Sequence, residues 1–418
     1  MFVTATEGTS PLLACLCRML LGLWLVIAPG LGMAVEVPVT PKKILIFGGN
    51  GFMGTRTSEL LIDAGHDLTL VNRGNWYWDS AFTVKPYTRH ITCDRAQAIE
   101  KCLKLEEFLN NSEGLDAVID FSAYHPQYME DALSLLTGKV GLYIYISTDS
   151  VYEVCEKNHT EPSLETDAVR PSSPDRQAEL EATDSYGHYK LACEEVLARH
   201  RREGSGPPYI SLRLPDVVGP RDSTYRWWIY QLWMRLRHFL EKDVIVPAKV
   251  LNQPISLAYV EDVAQTIFQL VQSRNKYESS YSPEGPPLDQ AYNLALHETP
   301  TLYELLKDIR HELNLTDSIT IKTDGGHETI KLYPSVHAGP MNISKAVKLL
   351  GWSPTNYSTV VKDTVEFYEK AISTVHFDDP RRYMIRTMQT YFTSKPYDVI
   401  RGLGEVYQVY FGQRRDEL

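Results

Sequence analysis

The chain has 418 residues, 43% of them hydrophobic and 23% charged, with a formal net charge of −11. This is globular composition, with length for one large domain or two smaller ones. The acidic balance argues against a general nucleic-acid binder, which needs a basic face.

In chain order, the first feature is an apolar run at 19–28 behind Arg18, followed by small residues around Gly32-Met33-Ala34. The pattern predicts a secretory signal over 1–34, cleaved after Ala34, its apolar core being short for a membrane span. An uncleaved signal anchor is the alternative, because apolar residues reach back to Pro11. From Lys43 onward strand and helix patterns alternate. Strands are predicted at 44–47, 68–71, 90–93, 117–121, 142–146 and 209–214, and helices at 52–64, 96–109 and 128–136. Short apolar β-rich runs between amphipathic helices define an α/β chain. The expectation is a doubly wound parallel sheet of Rossmann type over 42–218. A smaller, discontinuous C-terminal substrate region comes after it over 219–374, with segments returning to the sheet.

Between Tyr152 and Tyr186 the chain is polar, acidic and proline-containing, which predicts a mobile loop near the site. Trp227, Trp228, Tyr230, Trp233 and Leu236 fall on one basic, aromatic helix. That helix reads as a lid or substrate wall, or as a packing or dimer face, the second being preferred. A loop is predicted at 279–287. The extension 375–418 carries no motif until Arg415-Asp416-Glu417-Leu418, which is similar to the Lys-Asp-Glu-Leu retrieval signal. Leader and tail together predict residence in the lumen of the endoplasmic reticulum, with a retrieval receptor as one partner. Five N-x-S/T sequons begin at Asn110, Asn158, Asn314, Asn342 and Asn356. Beyond the leader, Cys93, Cys102, Cys155 and Cys193 are too sparse for a disulfide framework. One bridge, Cys93 to Cys102, or four buried thiols stand as alternatives.

Gly48-Gly49-Asn50-Gly51-Phe52-Met53-Gly54 comes directly after the first strand and opens the first helix. The first glycines permit a tight turn, Gly51 lets backbone approach a pyrophosphate, and Gly54 lets helix and strand pack closely. The second strand ends in Asn72-Arg73, where an NAD enzyme commonly offers a carboxylate to the ribose. Arg73 instead suits a 2′-phosphate, so the cofactor is read as NADP or NAD, with NADP favoured. Asp94, after the third strand, meets the adenine edge or caps the next helix.

Tyr186-Gly187-His188-Tyr189-Lys190 places a tyrosine and a lysine one helical turn apart. A nearby ammonium favours phenolate, so Lys190 is expected to lower the Tyr186 pKa. Tyr186 then exchanges a proton with a substrate hydroxyl, and Lys190 also binds the nicotinamide ribose. Ser147-Thr148-Asp149-Ser150-Val151-Tyr152 ends the fifth strand, at the carboxyl edge where such sheets bind ligands. Thr148 is expected to hydrogen-bond the reacting oxygen.

With these motifs in view, residues 42–371 resemble an extended, atypical short-chain dehydrogenase/reductase of the NAD-dependent epimerase/dehydratase family. The resemblance includes Leu212-Arg213-Leu214-Pro215, Val218-Gly219-Pro220-Arg221, Ala258-Tyr259-Val260-Glu261-Asp262-Val263-Ala264, Tyr292-Asn293-Leu294 and Asn342-Ile343-Ser344-Lys345 running to Leu350-Gly351-Trp352-Ser353-Pro354. It implies a catalytic triad of Thr148, Tyr186 and Lys190, a sugar or sugar nucleotide as substrate, and a homodimer through paired helices. The segment at Thr148 is similar to that of nucleotide-sugar dehydratases, which use an Asp-Glu pair. Here Asp149 is kept, as an acid or as a turn carboxylate, while Ser150 replaces the glutamate. Nucleotide-sugar members also carry an arginine where this chain has Ile255, and another in the region of Tyr333 to Met341. Arg221, Arg226 or Arg235 would have to grip a diphosphate in their place. Gly219-Pro220-Arg221-Asp222 is also similar to a branch that includes chloroplast RNA-binding proteins, a function the acidity and the lumenal address argue against. A reductase of a small non-nucleotide carbonyl compound, or a non-catalytic nucleotide-binding protein, are the rival readings.

Overall fold

The computed structural model describes residues 40–97, 99–157, 161–273, 286–315, 320–322, 330–392 and 396–409. The expected leader, most of the loop at 279–287, the sequon at Asn158 and the Arg-Asp-Glu-Leu terminus lie outside them.

Seven strands form one sheet: β1 (Lys43–Phe47), β2 (Asp67–Asn72), β3 (Arg89–Thr92), β4 (Ala117–Asp120), β5 (Tyr143–Thr148), β6 (Tyr209–Leu214) and, after three short strands outside it, β10 (Gln290–Asn293). Their order is β3-β2-β1-β4-β5-β6-β10, and every pairing is parallel. The direction of winding reverses between β1 and β4, which opens a crevice at the carboxyl ends of those strands.

The sequence of β1 explains why helices cover both faces. Ile44 and Ile46 pack into one apolar cluster, while Leu45 and Phe47 pack into another on the opposite side. Successive side chains of a strand point to opposite faces, so four consecutive apolar residues need cover on both. The cover comes from α1 (Phe52–Asp63), α2 (Leu103–Asn110), α3 (Pro126–Leu136) and, after a fourth helix, α4 (Pro174–Thr183), that packs Leu180 into a smaller separate cluster, α5 (Ser185–Arg202). Two expectations are corrected here. The span 96–109 is not one helix: a turn and a 3-10 segment precede α2, and Cys102 at its N-cap is bonded to Cys93 just past β3. The polar stretch before Tyr186 is not a plain loop, because Ser173 accepts a hydrogen bond from the Arg176 amide and starts α4.

The C-terminal half adds α6 (Arg226–Leu240), α7 (Val260–Gln272), α8 (Leu302–Glu312), α9 (Ser344–Leu350), α10 (Tyr357–Ala371), α11 (Asp378–Tyr391) and α12 (Pro396–Tyr407). It also carries the short parallel pairs β7 (Asp216–Val218) with β9 (Leu257–Tyr259), and β8 (Ile245–Pro247) with β11 (Thr320–Lys322). The aromatic helix α6 packs and is no lid. Trp227, Trp228 and Trp233 are at most 1% exposed. Phe392, just past α11, meets the Trp233 ring edge-on at 5.0 Å, and Gly402 of α12 sits so close that an added Cβ would lie 2.9 Å from Leu236. The motif-free extension is therefore part of the core around α6. Among the described residues no helix is long and apolar enough to cross a membrane.

Candidate active site

The crevice between β1 and β4 is a cleft of about 610 Å³. The glycine run forms its floor, for reasons visible atom by atom. Gly48 has φ +82°, and its amide bonds the Val71 carbonyl at 3.0 Å, turning the chain off β1. A Cβ on Gly54 would stand 2.2 Å from the Gly48 carbonyl oxygen, so only glycine lets α1 start there. A Cβ on Gly51 would meet nothing closer than 3.6 Å, which leaves that backbone open to a ligand. Gly49 differs from the expectation: it faces Leu70 and Ser58, not the cleft, and serves packing. Asn50, Phe52 and Met53 complete the floor. No side chain caps α1 and its first turn holds no acid, so its amides and dipole are available to an anion.

Asn72, Arg73 and Asp94 line the far end of the cleft. The Asn72 side-chain Oδ1 accepts from the Gly74 amide and meets the His90 ring, both at 2.8 Å, while its buried side-chain Nδ2 has no partner. A buried orphan donor at this place is what a ribose or phosphate oxygen would satisfy. Arg73 is exposed at the cleft edge. Asp94 lines the cleft, and it accepts from the Ala96 amide at 3.1 Å in a turn, so it does not cap the next helix, whose N-cap is Cys102. These groups fit a dinucleotide, its diphosphate at the α1 N-terminus and its adenosine at Asn72.

At the other end stand the catalytic candidates. Asp184 caps α5 by accepting from the Gly187 amide at 2.8 Å. A Cβ at Gly187 would lie 2.2 Å from the Ser150 carbonyl, so α5 is pressed against the chain leaving β5. That contact brings Tyr186 to Thr148, whose hydroxyl interacts with the phenol. Tyr186 keeps 45% of its surface open to the cleft.

Two roles assigned to Lys190 are not seen. It is 2% exposed, and its ammonium donates to the carbonyls of Ile146 at 2.5 Å and Ala123 at 3.2 Å. Tyr124 lies over it at 5.2 Å and Tyr145 at 4.4 Å. Lys190 thus lies beneath Tyr124 and ties β4 to β5, and does not open onto the ribose end of the cleft. Burial holds its pKa down to about 8. The Tyr186 phenol is raised, not lowered: burial acts first, then the Tyr124 phenol and the Asp149 carboxyl, with Thr148 opposing. Asp149, 5% exposed and bonded to the Thr148 hydroxyl at 3.2 Å, is pushed well above the usual carboxylate value by burial and then by Asp216.

A second cavity, of about 470 Å³, opens beyond Tyr186 and Thr148. Glu153, Asp184 and Asp216 line it together with Asp149. The sequence reading missed Glu153, Asp216 and Tyr124; position at a strand's carboxyl end was the available signal for Asp216 and Tyr124. Of the arginines offered for a diphosphate, two are engaged away from the second cavity, and Arg226 lines both cavities but is paired there. Arg221 grips Asp79 through two bonds of 2.6 and 2.9 Å, Arg235 is held by Glu369 at 2.6 Å, and Arg226 pairs with Asp216. Ile255 is 1% exposed, and Tyr333, Val336 and Met341 are buried.

Fold and site define a dinucleotide-binding α/β protein of short-chain dehydrogenase/reductase design. More specifically, the chain belongs to the NAD dependent epimerase/dehydratase family, whose model matches residues 44–282. A chloroplast stem-loop binding protein of 41 kDa from Arabidopsis thaliana is 34% identical over 202 residues, 46% of this chain and 47% of that protein. A trifunctional UDP-glucose 4,6-dehydratase, epimerase and reductase from the same plant is 21% identical over 79% of this chain and 47% of its own length. The chain thus spans about half the length of these curated relatives. Among solved structures, a UDP-glucose 4-epimerase from Thermotoga maritima with UDP-glucose superposes with TM-score 0.57 at 19% identity, over 79% of this chain and 100% of that one. WbmH of Bordetella bronchiseptica in complex with NAD+ gives 0.56 at 17%, over 79% and 99%. These likenesses show the fold.

Proposed function

We propose that the protein is an NAD(P)-dependent oxidoreductase acting at a secondary alcohol or ketone of a sugar or sugar nucleotide. The observation that carries this is that Tyr186 stands where the glycine-floored cleft adjoins the cavity lined by Thr148. A nicotinamide bound there would accept or supply the hydride. The chain's own residues do the rest. Thr148, fixed at the end of β5, orients the reacting oxygen. Tyr186, a neutral phenol in the reductive direction, gives its proton to the ketone oxygen as hydride reaches the carbon and is left as phenolate; in the reverse direction that phenolate takes the proton back from the alcohol. Lys190 holds the Ala123 and Ile146 carbonyls, so that β4 and β5 present the site at fixed spacing. Asp149, whose pKa burial raises well above the usual carboxylate value, stands as a second acid beside Thr148.

Arg73 at the cleft edge and the free Asn72 amide donor support NADP over NAD, since neither is the carboxylate that would select a 2′-hydroxyl. For the compartment, the leader and the Arg-Asp-Glu-Leu tail support the endoplasmic reticulum lumen and a retrieval receptor, and the Cys93–Cys102 disulfide suits an oxidising environment.

Purified protein from Val35 onward, denatured and assayed for released nucleotide, tests the reading. Stoichiometric NAD supports an epimerase that recycles its hydride and removes the NADP preference. Empty protein that takes up NADPH supports a reductase that exchanges cofactor each cycle. Protein that neither releases nor binds a nicotinamide nucleotide overturns the proposal.

A further inference from the structure

The cavity beyond Tyr186 carries information about the substrate that the family match does not. Its wall presents Asp149, Glu153, Asp184 and Asp216. Three of these are fixed by the fold. Glu153 accepts from the His337 amide at 2.8 Å and from the Ala338 amide. Asp216 accepts from the Ser335 hydroxyl at 2.6 Å and the Ser335 amide at 3.0 Å, and pairs with Arg226. Asp184 caps α5. Each carboxylate keeps further acceptor capacity, since two oxygens offer about four lone-pair sites.

The cations do not balance this wall. Arg226 is committed to Asp216, donates through Nε to Thr224 at 3.1 Å, and lies over the Tyr333 ring at 4.7 Å. Lys331 approaches Asp216 and Glu153, and His337 lines the rim. Arg221 and Arg235 are held by carboxylates of their own. A phosphate entering here would meet acceptors with few donors, and like charge beside like charge disfavours it. The contrast with the first cleft is internal to the molecule: where an anion is to be bound, the chain offers glycine amides and a helix start without acids.

We infer that this cavity takes an uncharged, hydroxyl-rich substrate: a carbohydrate ring or glycan end that carries no diphosphate. Sugar hydroxyls donate, and fixed carboxylates, half-buried at Glu153 and Asp184 and buried at Asp216, accept, which is the complementarity the wall provides. The volume, about 470 Å³, lies within the usual range for small-molecule sites. The inference rests on the hydride-transfer reading for the identity of the cavity as substrate side, and it departs from the sugar nucleotide that the relatives suggest.

The test uses full-length protein loaded with NADP+ or NAD+, and measures competitive binding of UDP, UDP-glucose, glucose, galactose, mannose and N-acetylglucosamine by ligand-observed NMR. At least one free sugar is expected to bind as tightly as UDP-glucose or more so. Glu153→Gln is expected to weaken that sugar by about tenfold without weakening UDP. Should Glu153→Gln fail to fold, Asp216→Asn serves the same comparison. UDP or UDP-glucose binding at least about tenfold more tightly than every free sugar overturns the inference. So does the failure of all four sugars to bind at about 10 mM. Cofactor absorbance separates the two readings. Sugar binding with neither a change in cofactor redox state nor formation of an epimerised or reduced product, with the oxidised and the reduced cofactor alike, sinks the hydride-transfer reading and leaves the substrate class standing. Turnover of tightly bound UDP-glucose does the reverse.

Discussion

Two cavities meet at Tyr186, and they are built on opposite electrostatic plans. The cofactor cleft draws on backbone: glycine amides, an uncapped helix start, one orphan amide donor and an exposed arginine. The inner cavity draws on side chains, four of them acids, with Arg226 and His337 and a set of hydroxyls beside them. Backbone amides bind charge at no cost in side-chain entropy and without titrating, whereas carboxylates bind donors and respond to pH. On the reading proposed above, a diphosphate is held on one side only, and recognition by hydroxyl groups falls to the other.

The largest expected effect breaks the junction itself. Tyr186→Phe should lower turnover by about 10²–10⁴-fold while leaving cofactor affinity within about twofold. Unchanged turnover in a cofactor-linked assay would remove the phenol from the chemistry. Next, two glycines divide the cleft into structure and binding. Gly54→Ala collides with the Gly48 carbonyl and should depress the melting temperature as well as cofactor affinity. Gly51→Ala has room, so its melting temperature should hold while dinucleotide binding falls; a matching loss of stability in both variants would refute that division. Arg73→Ala should weaken NADPH by about tenfold more than NADH, as loss of one charge-assisted contact to a phosphate. Equal weakening would remove Arg73 from cofactor choice.

The smallest effect concerns the inner cavity. The folded pKa of Asp149 lies above its unfolded value, so the native state binds the extra proton between the two. Its contribution is most favourable below the unfolded pKa and is lost as pH rises through the folded one. Asp149→Asn should therefore raise the melting temperature by about one or two degrees at neutral pH, and by nothing in strong acid. A decrease at neutral pH would show that the carboxylate stabilises the fold.

Much of this was legible in the sequence, and the boundary has a physical sense. The parallel sheet was readable because β1 through β6 are short apolar runs, and the cleft because Gly48, Gly51 and Gly54 answer to steric demands local to one turn. The disulfide remained one of two alternatives, since its partners lie nine residues apart with the start of a helix between them. The state of Lys190 was not readable. A YxxxK spacing places both residues on one helical face, but Tyr124, which covers the lysine, comes from the end of another strand. The same holds for the α6 aromatics: helical spacing exposed their common face, and only the tertiary structure shows that the C-terminal helices cover it.

Asp216 joins segments 119 residues apart, linking β7 to Ser335. The catalytic wall, by contrast, is made by β5 and the helix pressed against it at Gly187. Glu153, inside the catalytic stretch, makes a second link of this kind to His337 and Ala338, so the chain from β5 to β7 and the segment 335–338 are stitched at two carboxylates. A lineage changing its substrate could redraw the segment 335–338 while the catalytic stretch stayed constant, provided that the stitches were kept. Drift at Asp216 would loosen both at once, and so selection on this residue should be felt through folding as much as through catalysis.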